Sequence, residues 1–278
     1  MKALGLGHFT FLDLDPVALI RLARASGFAF VGLRFHPVAP GQLHYRPPPG
    51  SAAMTALRRA IADEGVGVYD IETIVLDAGF DPDALRPVID AAAEVGAERL
   101  NVCAEDWDRG ALVTLFGRLC DLAGAAGIGV DIECMAWRGI DTPGKCLEVI
   151  EAAGRPNAGV LVDALHLDRC GGTPAEVAAM PPARVVSAQL CDAPRGRPKR
   201  AEALIAEARG GRLMPGAGGL PLAELVAALP EHTVVSVEAP MARDDRPPPL
   251  RARHIRDATM RLLAQRLDAA PRYSEAPR

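Results

Sequence analysis

Aromatic residues make up only 4% of the 278 residues, so ring packing cannot fill a core of this size. The interior has to be built from Ala, Val, Leu and Ile, as in parallel sheets covered by helices. Charge of one sign is not in excess either. A formal net charge of -4 gives no global attraction to a phosphate backbone or an anionic lipid surface, each of which needs a clustered basic face. Neither a nucleic-acid partner nor a membrane partner is therefore expected. No apolar run approaches the length that crosses a bilayer, and the opening MKALGLGHFTFLDLD lacks the long apolar core of a secretory leader. A cytoplasmic location is the expectation. The six cysteines, Cys103, Cys120, Cys134, Cys146, Cys170 and Cys191, include no C-x-x-C pair and fall inside apparent strands, helices and short loops. That pattern is unlike a secreted disulfide framework and reads as reduced thiols.

What is present is a regular alternation. Short runs rich in β-branched residues alternate with longer Ala/Leu/Arg segments of helical period, the signature of repeated βα units. The runs Ala3–Gly7, Ala29–Arg34, Val66–Glu72, Arg99–Cys103, Ile128–Glu133, Gly159–Asp163, Val185–Leu190 and Val234–Glu238 predict eight strands. Helix starts are marked by Asp15-Pro16, Asp81-Pro82 (before DALRPVIDAAAEV), Thr142-Pro143 and Thr173-Pro174, each a side-chain acceptor followed by a proline whose missing N–H costs nothing in the first turn. Gly27, Gly65, Gly96 and Gly127 stand where left-handed helix ends are expected. The length suits one eight-fold barrel, and no linker divides the chain. The prediction is a single α/β domain, a (β/α)8 TIM barrel over residues 1–267, with a flexible C-terminal tail at 268–278. Two long segments, 36–50 after the second strand and 193–219 after the seventh, would lie at the C-terminal rim, where barrel active sites are built.

Four successive strands end in an oxygen donor: IGVDIE at Glu133, AGVLVD at Asp163, VVSAQL at Gln189 and VVSVE at Glu238. One carboxylate at a strand end is ordinarily a helix cap or a solvated rim residue. Four in a row, each behind a strongly apolar run, are harder to reconcile with that, because uncompensated carboxylates there are costly and a cation is the economical partner. Adjacent strands lie about 5 Å apart, so inward-pointing ends can converge on one ion. Oxygen donors without thiolate favour one divalent ion, Mn²⁺ or Mg²⁺, with Co²⁺ also compatible.

The pieces IECMAW, LVDALHLDRCGGTP, AQLCDAP, RLMPGAGGLPL and SVEAP together resemble the xylose-isomerase-like barrels. That family includes tagatose-type ketose epimerases, inosose isomerases and dehydratases, hydroxypyruvate isomerase and dehydroshikimate dehydratase. The resemblance implies that Glu133, Asp163, Gln189 and Glu238 hold the metal, that His166 of Asp163-Ala-Leu-His166 faces the substrate, and that Arg212 binds substrate oxygens. Many epimerases carry histidine where Gln189 stands, whereas glutamine also occurs among the dehydratases.

Outside the resemblance, His166 is placed either to bond a ligand or substrate or to cap a short helix. Trp137 suits an apolar wall for a sugar ring or packing under a loop. Arg34, His36 and Glu72 either line the pocket or salt-bridge its mouth. Gly216, Gly218 and Gly219 offer amides to an anion or form a turn. The chemistry expected is metal-dependent isomerisation or epimerisation of a small sugar or polyol carbonyl compound through an enediolate, with Glu133 and Glu238 moving protons and Arg212 and His166 on flexible loops above them. The alternative is dehydration of a cyclic polyhydroxy ketone such as 3-dehydroshikimate or an inosose, with His166 protonating the leaving group. A DNA-repair endonuclease of related fold is disfavoured by the six histidines and the acidic balance. Assembly into a homo-oligomer is left open.

Overall fold

The computed structural model describes residues 3–105 and 108–269. Eight parallel strands, β1 (Leu4–Leu6), β2 (Phe30–Leu33), β3 (Gly67–Leu76), β4 (Arg99–Ala104), β5 (Gly129–Ile132), β6 (Ala158–Asp163), β7 (Val185–Leu190) and β8 (Val234–Val237), pair in chain order, and β8 closes on β1. Around them run α1 (Pro16–Ser26), α2 (Ala52–Glu64), α3 (Arg86–Glu94), α4 (Arg109–Ala125), α5 (Pro143–Ala153), α7 (Pro174–Ala179), α9 (Leu222–Ala228) and α10 (Pro248–Ala269). Two further helices, α6 (Ala164–Arg169) and α8 (Ala201–Gly210), are inserted between a strand end and the next covering helix. The (β/α)8 prediction holds. No helix among the described residues is long and apolar enough to cross a membrane. α10 extends to Ala269, two residues into the expected tail, and positions from 270 onward lie outside the described residues.

The caps work as read. Asp15 accepts Ala18 N at 2.9 Å, Thr142 accepts Lys145 N at 3.2 Å, and Thr173 and Glu176 form a reciprocal capping box. Gly27, Gly65, Gly96 and Gly127 all take positive φ. Two boundaries differ from expectation. After Asp81 the chain first makes a 3-10 turn, Pro82–Leu85, and α3 begins only at Arg86. Pro87 explains this, since a proline inside a continuous helix lacks its N–H and strikes the carbonyl four residues back. Strand β3 also runs past Glu72 to Leu76, because Ile74, Val75 and Leu76 pair with Val102, Cys103 and Ala104. The ladder shifts register between Ile71 and Ile74, so Glu72 lies at a mid-strand irregularity and not at a strand end.

Side chains alternate between the helix-covered face and the barrel interior. In β5, Val130 and Ile132 are fully buried in the hydrophobic core, while Asp131 and the following Glu133 point inward. The interior carries a polar rung: Ser187 Oγ donates to Asp131 Oδ2 at 2.5 Å and meets the Tyr69 hydroxyl at 2.8 Å, Arg99 pairs with Asp131, and Asn101 Nδ2 donates to Asp70 Oδ2 at 2.5 Å. Glycines make room for it. A Cβ at Gly32 would stand 2.3 Å from Asp70 Oδ1, and one at Gly159 would stand 2.6 Å from Asp131 Oδ1.

Candidate functional site

Register brings the strand ends together. Asp163 on β6 lies opposite Gln189 on β7, and Gln189 lies opposite Ser236 on β8, two residues before Glu238. Glu133, Asp163, Gln189 and Glu238 are all buried, none more than 6% exposed. Donor atoms of Glu133, Asp163 and His166 lie within 4.8 Å of one another. Glu238 joins the group through Gln189 Nε2, which donates to its Oε2 at 3.1 Å, and through Arg212. Asp163 is also the cap of α6, accepting His166 N at 2.9 Å on Oδ1. The capping role and the clustering therefore coexist in one carboxylate.

The expectation that Arg212 and His166 ride on flexible loops above the cluster is corrected by the structure. Arg212 is buried and tied down on every side. Its Nη1 donates to Asp163 Oδ2 at 2.5 Å and to Glu238 O at 3.0 Å, its Nη2 donates to Glu238 Oε1 at 3.0 Å, and its Nε donates to Ala208 O at 3.0 Å. The guanidinium thus bridges two of the carboxylates. His166, on α6, places Nε2 3.2 Å from Arg212 Nη2 and 3.9 Å from Glu133 Oε1. A guanidinium can only donate, so Nε2 accepts and the ring proton sits on Nδ1, which is buried without a partner.

Electrostatics follow from this packing. Burial, reinforced by Asp163 and Glu238, pushes the Glu133 carboxyl well above the usual range. Glu238 is pushed up to about 8 by burial, with Arg212 opposing and Glu72 and Asp163 adding. Burial acts upward on Asp163 too, yet Arg212 and His166 outweigh it and hold that carboxyl below its ordinary value. His166 is driven down to about 4, mainly by burial, so the imidazole is neutral.

The donor set fits a divalent cation. Three carboxylates face one guanidinium, which leaves two negative charges unmatched, and Glu133 Oε1 is buried with no hydrogen-bond partner. The Gln189 amide, whose nitrogen is spent on Glu238, has its oxygen available as a neutral donor. Oxygen-rich sites of this kind suit hard or borderline ions.

Phe9, Trp137, Arg34, Arg138, Thr73, Arg209, and Val38 and Gln42 from the 36–50 segment line a cavity above the cluster. Its volume of about 60 Å³ holds only a few waters, less than a sugar-sized molecule needs. Trp137 meets His166 edge to face with ring centroids 5.2 Å apart, combining packing with wall formation. Arg34 lies over the Phe9 ring at 4.6 Å and pairs with Glu72 at 3.1 Å, so it both lines the pocket and salt-bridges its wall. Glu72 also accepts His8 N at 2.6 Å. His36 is half-buried and is not among the residues lining this cavity.

Asp192 was not singled out from the sequence, yet it positions Arg212. Its carboxylate accepts Gly216 N, Gly218 N and Leu220 N at 2.9 to 3.0 Å, and its backbone exchanges hydrogen bonds with Leu213. The glycines therefore form a turn around Asp192 and their amides are not open to an external anion. A Cβ at Gly218 would stand 2.3 Å from Ala193 O, which is why glycine is needed there. The Asp in AQLCDAP and the glycines in RLMPGAGG were visible, but nothing in their spacing shows that they meet.

A closed parallel barrel with acidic strand ends gathered at its C-terminal rim defines a TIM barrel with its candidate site on the face where such barrels carry their active sites. The chain belongs to the xylose isomerase-like TIM barrel family, whose profile matches residues 20–262. Two curated relatives are 3-dehydroshikimate dehydratases. That of Pseudomonas aeruginosa is 28% identical over 111 residues, covering 40% of this chain and 17% of its own length. That of Pseudomonas putida is 25% identical over 186 residues, covering 62% of this chain and 29% of its own length. The chain thus spans less than a third of either relative. Among solved structures, a xylose isomerase-like TIM barrel/4-hydroxyphenylpyruvate dioxygenase fusion protein superposes with a TM-score of 0.79 at 21% identity, over 96% of this chain and 43% of that one. The IolI protein with a bound zinc atom gives 0.74 at 16% identity over 95% and 99% of the two chains. L-ribulose 3-epimerase gives 0.73 at 16% identity over 99% and 100%.

Proposed function

We propose that the chain is a divalent-metal-dependent enzyme that removes and returns a proton beside the carbonyl of a small polyhydroxylated compound, an isomerase or epimerase. The observation that carries this reading is the pair of buried glutamates, Glu133 and Glu238, on different strands of one cluster with Asp163. Glu133, whose Oε1 has no partner, would give one carboxylate oxygen to the ion and take the proton on the other. Glu238 is held in place by Gln189 and Arg212 and returns one from its own side of the substrate. Glu133, Asp163, Gln189 and Glu238 are the residues proposed to hold the ion, Mn²⁺ or Mg²⁺ first, with Co²⁺ compatible. When bound, such an ion supplies Lewis acidity that stabilises an enediolate. Trp137 and Phe9 exclude water from the reacting carbon, and His166 accepts from Arg212 on one ring nitrogen while offering the other to a substrate oxygen.

A second reading, dehydration of a cyclic polyhydroxy ketone, is favoured by the two curated relatives and by glutamine at position 189. It shares the first proton abstraction. With a neutral imidazole, His166 would there donate a hydrogen bond to the departing hydroxyl, and the proton that Glu133 takes from the substrate carbon would be the one returned to that oxygen so that it leaves as water.

The test is deuterium uptake from heavy water into ketoses, inososes and 3-dehydroshikimate by metal-loaded protein, with water loss read by mass. Exchange without loss supports the first reading, and exchange with loss supports the second. Glu133→Gln and Glu238→Gln, checked for metal content, should each abolish exchange. If no compound exchanges with any of Mn²⁺, Mg²⁺, Co²⁺ or Zn²⁺ loaded, both readings fall.

A further inference from the structure

The cavity above the cluster is walled by cations. Arg34, Arg138, Arg209 and Arg212 line it, against Glu133 and Glu238. Arg212 is fully engaged by Asp163 and Glu238. The other three are not. Arg34 spends Nη2 on Glu72 but leaves a buried Nε with no partner, and Arg138, paired with Glu105 at the rim, also keeps a buried Nε unpartnered. Arg209, in the last turn of α8, is exposed and makes no ion pair or hydrogen bond among the described residues. Arg34 and Arg138 line the same cavity as Glu133.

The charge count then decides the character of the ligand. The four arginines face five carboxylates: Glu133 and Glu238 on the cavity wall, Asp163 and Glu72 directly behind it, and Glu105, the rim partner of Arg138. Once a divalent cation joins the cluster, as the proposed function requires, the site carries an excess of one positive charge. A neutral sugar leaves that excess without a counter-charge, and unsatisfied buried donors such as Nε of Arg34 and Arg138 are costly. We infer that the substrate of this site is a polyhydroxylated acid, whose carboxylate is received by Arg138 and Arg209 with Arg34 beside them. A carboxylate is preferred to a phosphate for two reasons. Its single negative charge matches the excess of one, whereas a phosphate monoester brings about -1.5 to -2. The backbone amides of Gly216 and Gly218, which would otherwise help cradle a phosphate, are consumed by Asp192.

The inference rests on the proposed function for its metal charge, and the experiment separates the two. Metal-loaded protein is titrated calorimetrically with shikimate against its methyl ester and with 2-ketogluconate against fructose, and the same compounds are assayed for deuterium exchange. The acid of each pair should bind at least tenfold more tightly, and the preference should shrink with added salt. Arg138→Gln/Arg209→Gln, which leaves only the 42% exposed Glu105 side chain unpaired, should bring the preference close to one while retaining its metal. Arg34→Gln is avoided as the main test because it strands the fully buried Glu72; Arg34→Lys, which keeps the charge but not the fork, should give a partial loss. Equal binding of acid and neutral partner, or an undiminished preference in the double variant, overturns the inference. Exchange on fructose with no acid preference sinks the carboxylate and leaves the proposed function standing. Arginine-dependent acid binding without exchange on any compound does the reverse.

Discussion

Replacing Arg212 by methionine tests whether the guanidinium is part of the cluster's charge balance. The side chain is 1% exposed and bridges Asp163 and Glu238 at 2.5 and 3.0 Å. Removing one partner of a buried ion pair costs about 3–5 kcal/mol, because the other charge is stranded. At roughly 2 °C per kcal/mol for a domain of this size, chelated protein should unfold about 6–10 °C lower. The same change should tighten metal binding. A unit positive charge about 5 Å from a divalent ion opposes it by roughly 7 kcal/mol at an effective dielectric near 20, an upper bound of about five powers of ten in affinity. Arg212→Met should therefore be markedly less stable than the parent in chelator, yet gain more than the parent from saturating Mn²⁺. Thermal unfolding with and without chelator, together with Mn²⁺ titration calorimetry, reads both effects. A chelated variant within about 1 kcal/mol of the parent would show that the pair contributes little, well below the expected cost. Unchanged or weaker Mn²⁺ affinity would show that Arg212 does not compete with the cation.

Two further predictions concern groups away from the cluster. Asp70 titrates near 8 in the fold against an ordinary value of 3.8, mainly through burial with Glu72 and Asp131 adding, so the folded state holds its proton more tightly than the unfolded chain. This group costs nothing below pH 4, and its cost grows as pH rises toward 8, at up to about 1.4 kcal/mol per pH unit. Denaturant unfolding of metal-loaded Asp70→Asn should show a stability difference from the parent that moves in the variant's favour between pH 5 and pH 8, and a difference independent of pH contradicts the argument. Cys103, Cys120 and Cys191 are pushed up to about 12, burial being the main cause, and all six cysteines are free. Native protein at pH 8 should therefore react slowly with a thiol reagent and release six equivalents in denaturant, and fewer than six from a non-reduced sample would reveal a disulfide.

The strands and most caps were legible because each rests on local signals: apolar runs, an acceptor before proline, a glycine after a helix. The cluster was legible for a related reason. The fragments DIE at 70–72, DIE at 131–133, SAQ at 187–189 and SVE at 236–238 repeat polar residues two apart inside apolar strands, which places both on one face, and in a barrel that face is the interior. The second member of each pair is a candidate from sequence, Glu133, Gln189 and Glu238 as metal donors and Glu72 as a rim residue, whereas Asp70, Asp131, Ser187 and Ser236 were passed over although they belong to the same pattern. What stayed hidden depends on distant chain segments. Arg212 sits in a basic, glycine-rich stretch that reads as solvated, and its burial is decided by Asp163, 49 residues earlier, and by the turn held on Asp192. β3 was ended too early because Glu72 looks like a terminus, while the apolar Ile74–Leu76 continuation finds its partner only once β4 is beside it.

The interior pattern also explains why cation-attracting charge collects in one place. In the lower rung Asp131 is matched by Arg99, and Asp70, titrating near 8, is mostly protonated at neutral pH. Asn101 Nδ2 donates to Asp70 Oδ2 at 2.5 Å. Glu72 is matched by Arg34 on the pocket wall. Among the described residues, the acids deeper in the barrel each have a partner or a proton of their own, whereas at the strand ends Glu133, Asp163 and Glu238 share the single guanidinium of Arg212, and their mutual repulsion adds to burial in raising Glu133 and Glu238. A low-dielectric barrel focuses that remaining charge toward its open end. Converting Arg99 or Arg34 to a neutral residue would spread negative charge down the barrel and weaken this localisation, whereas the same change at Arg212 deepens it. Arg99 and Arg34 on one side and Arg212 on the other thus have opposite consequences for a cation at the rim, and their order along the barrel follows from the two-residue period of the strands that carry their partners.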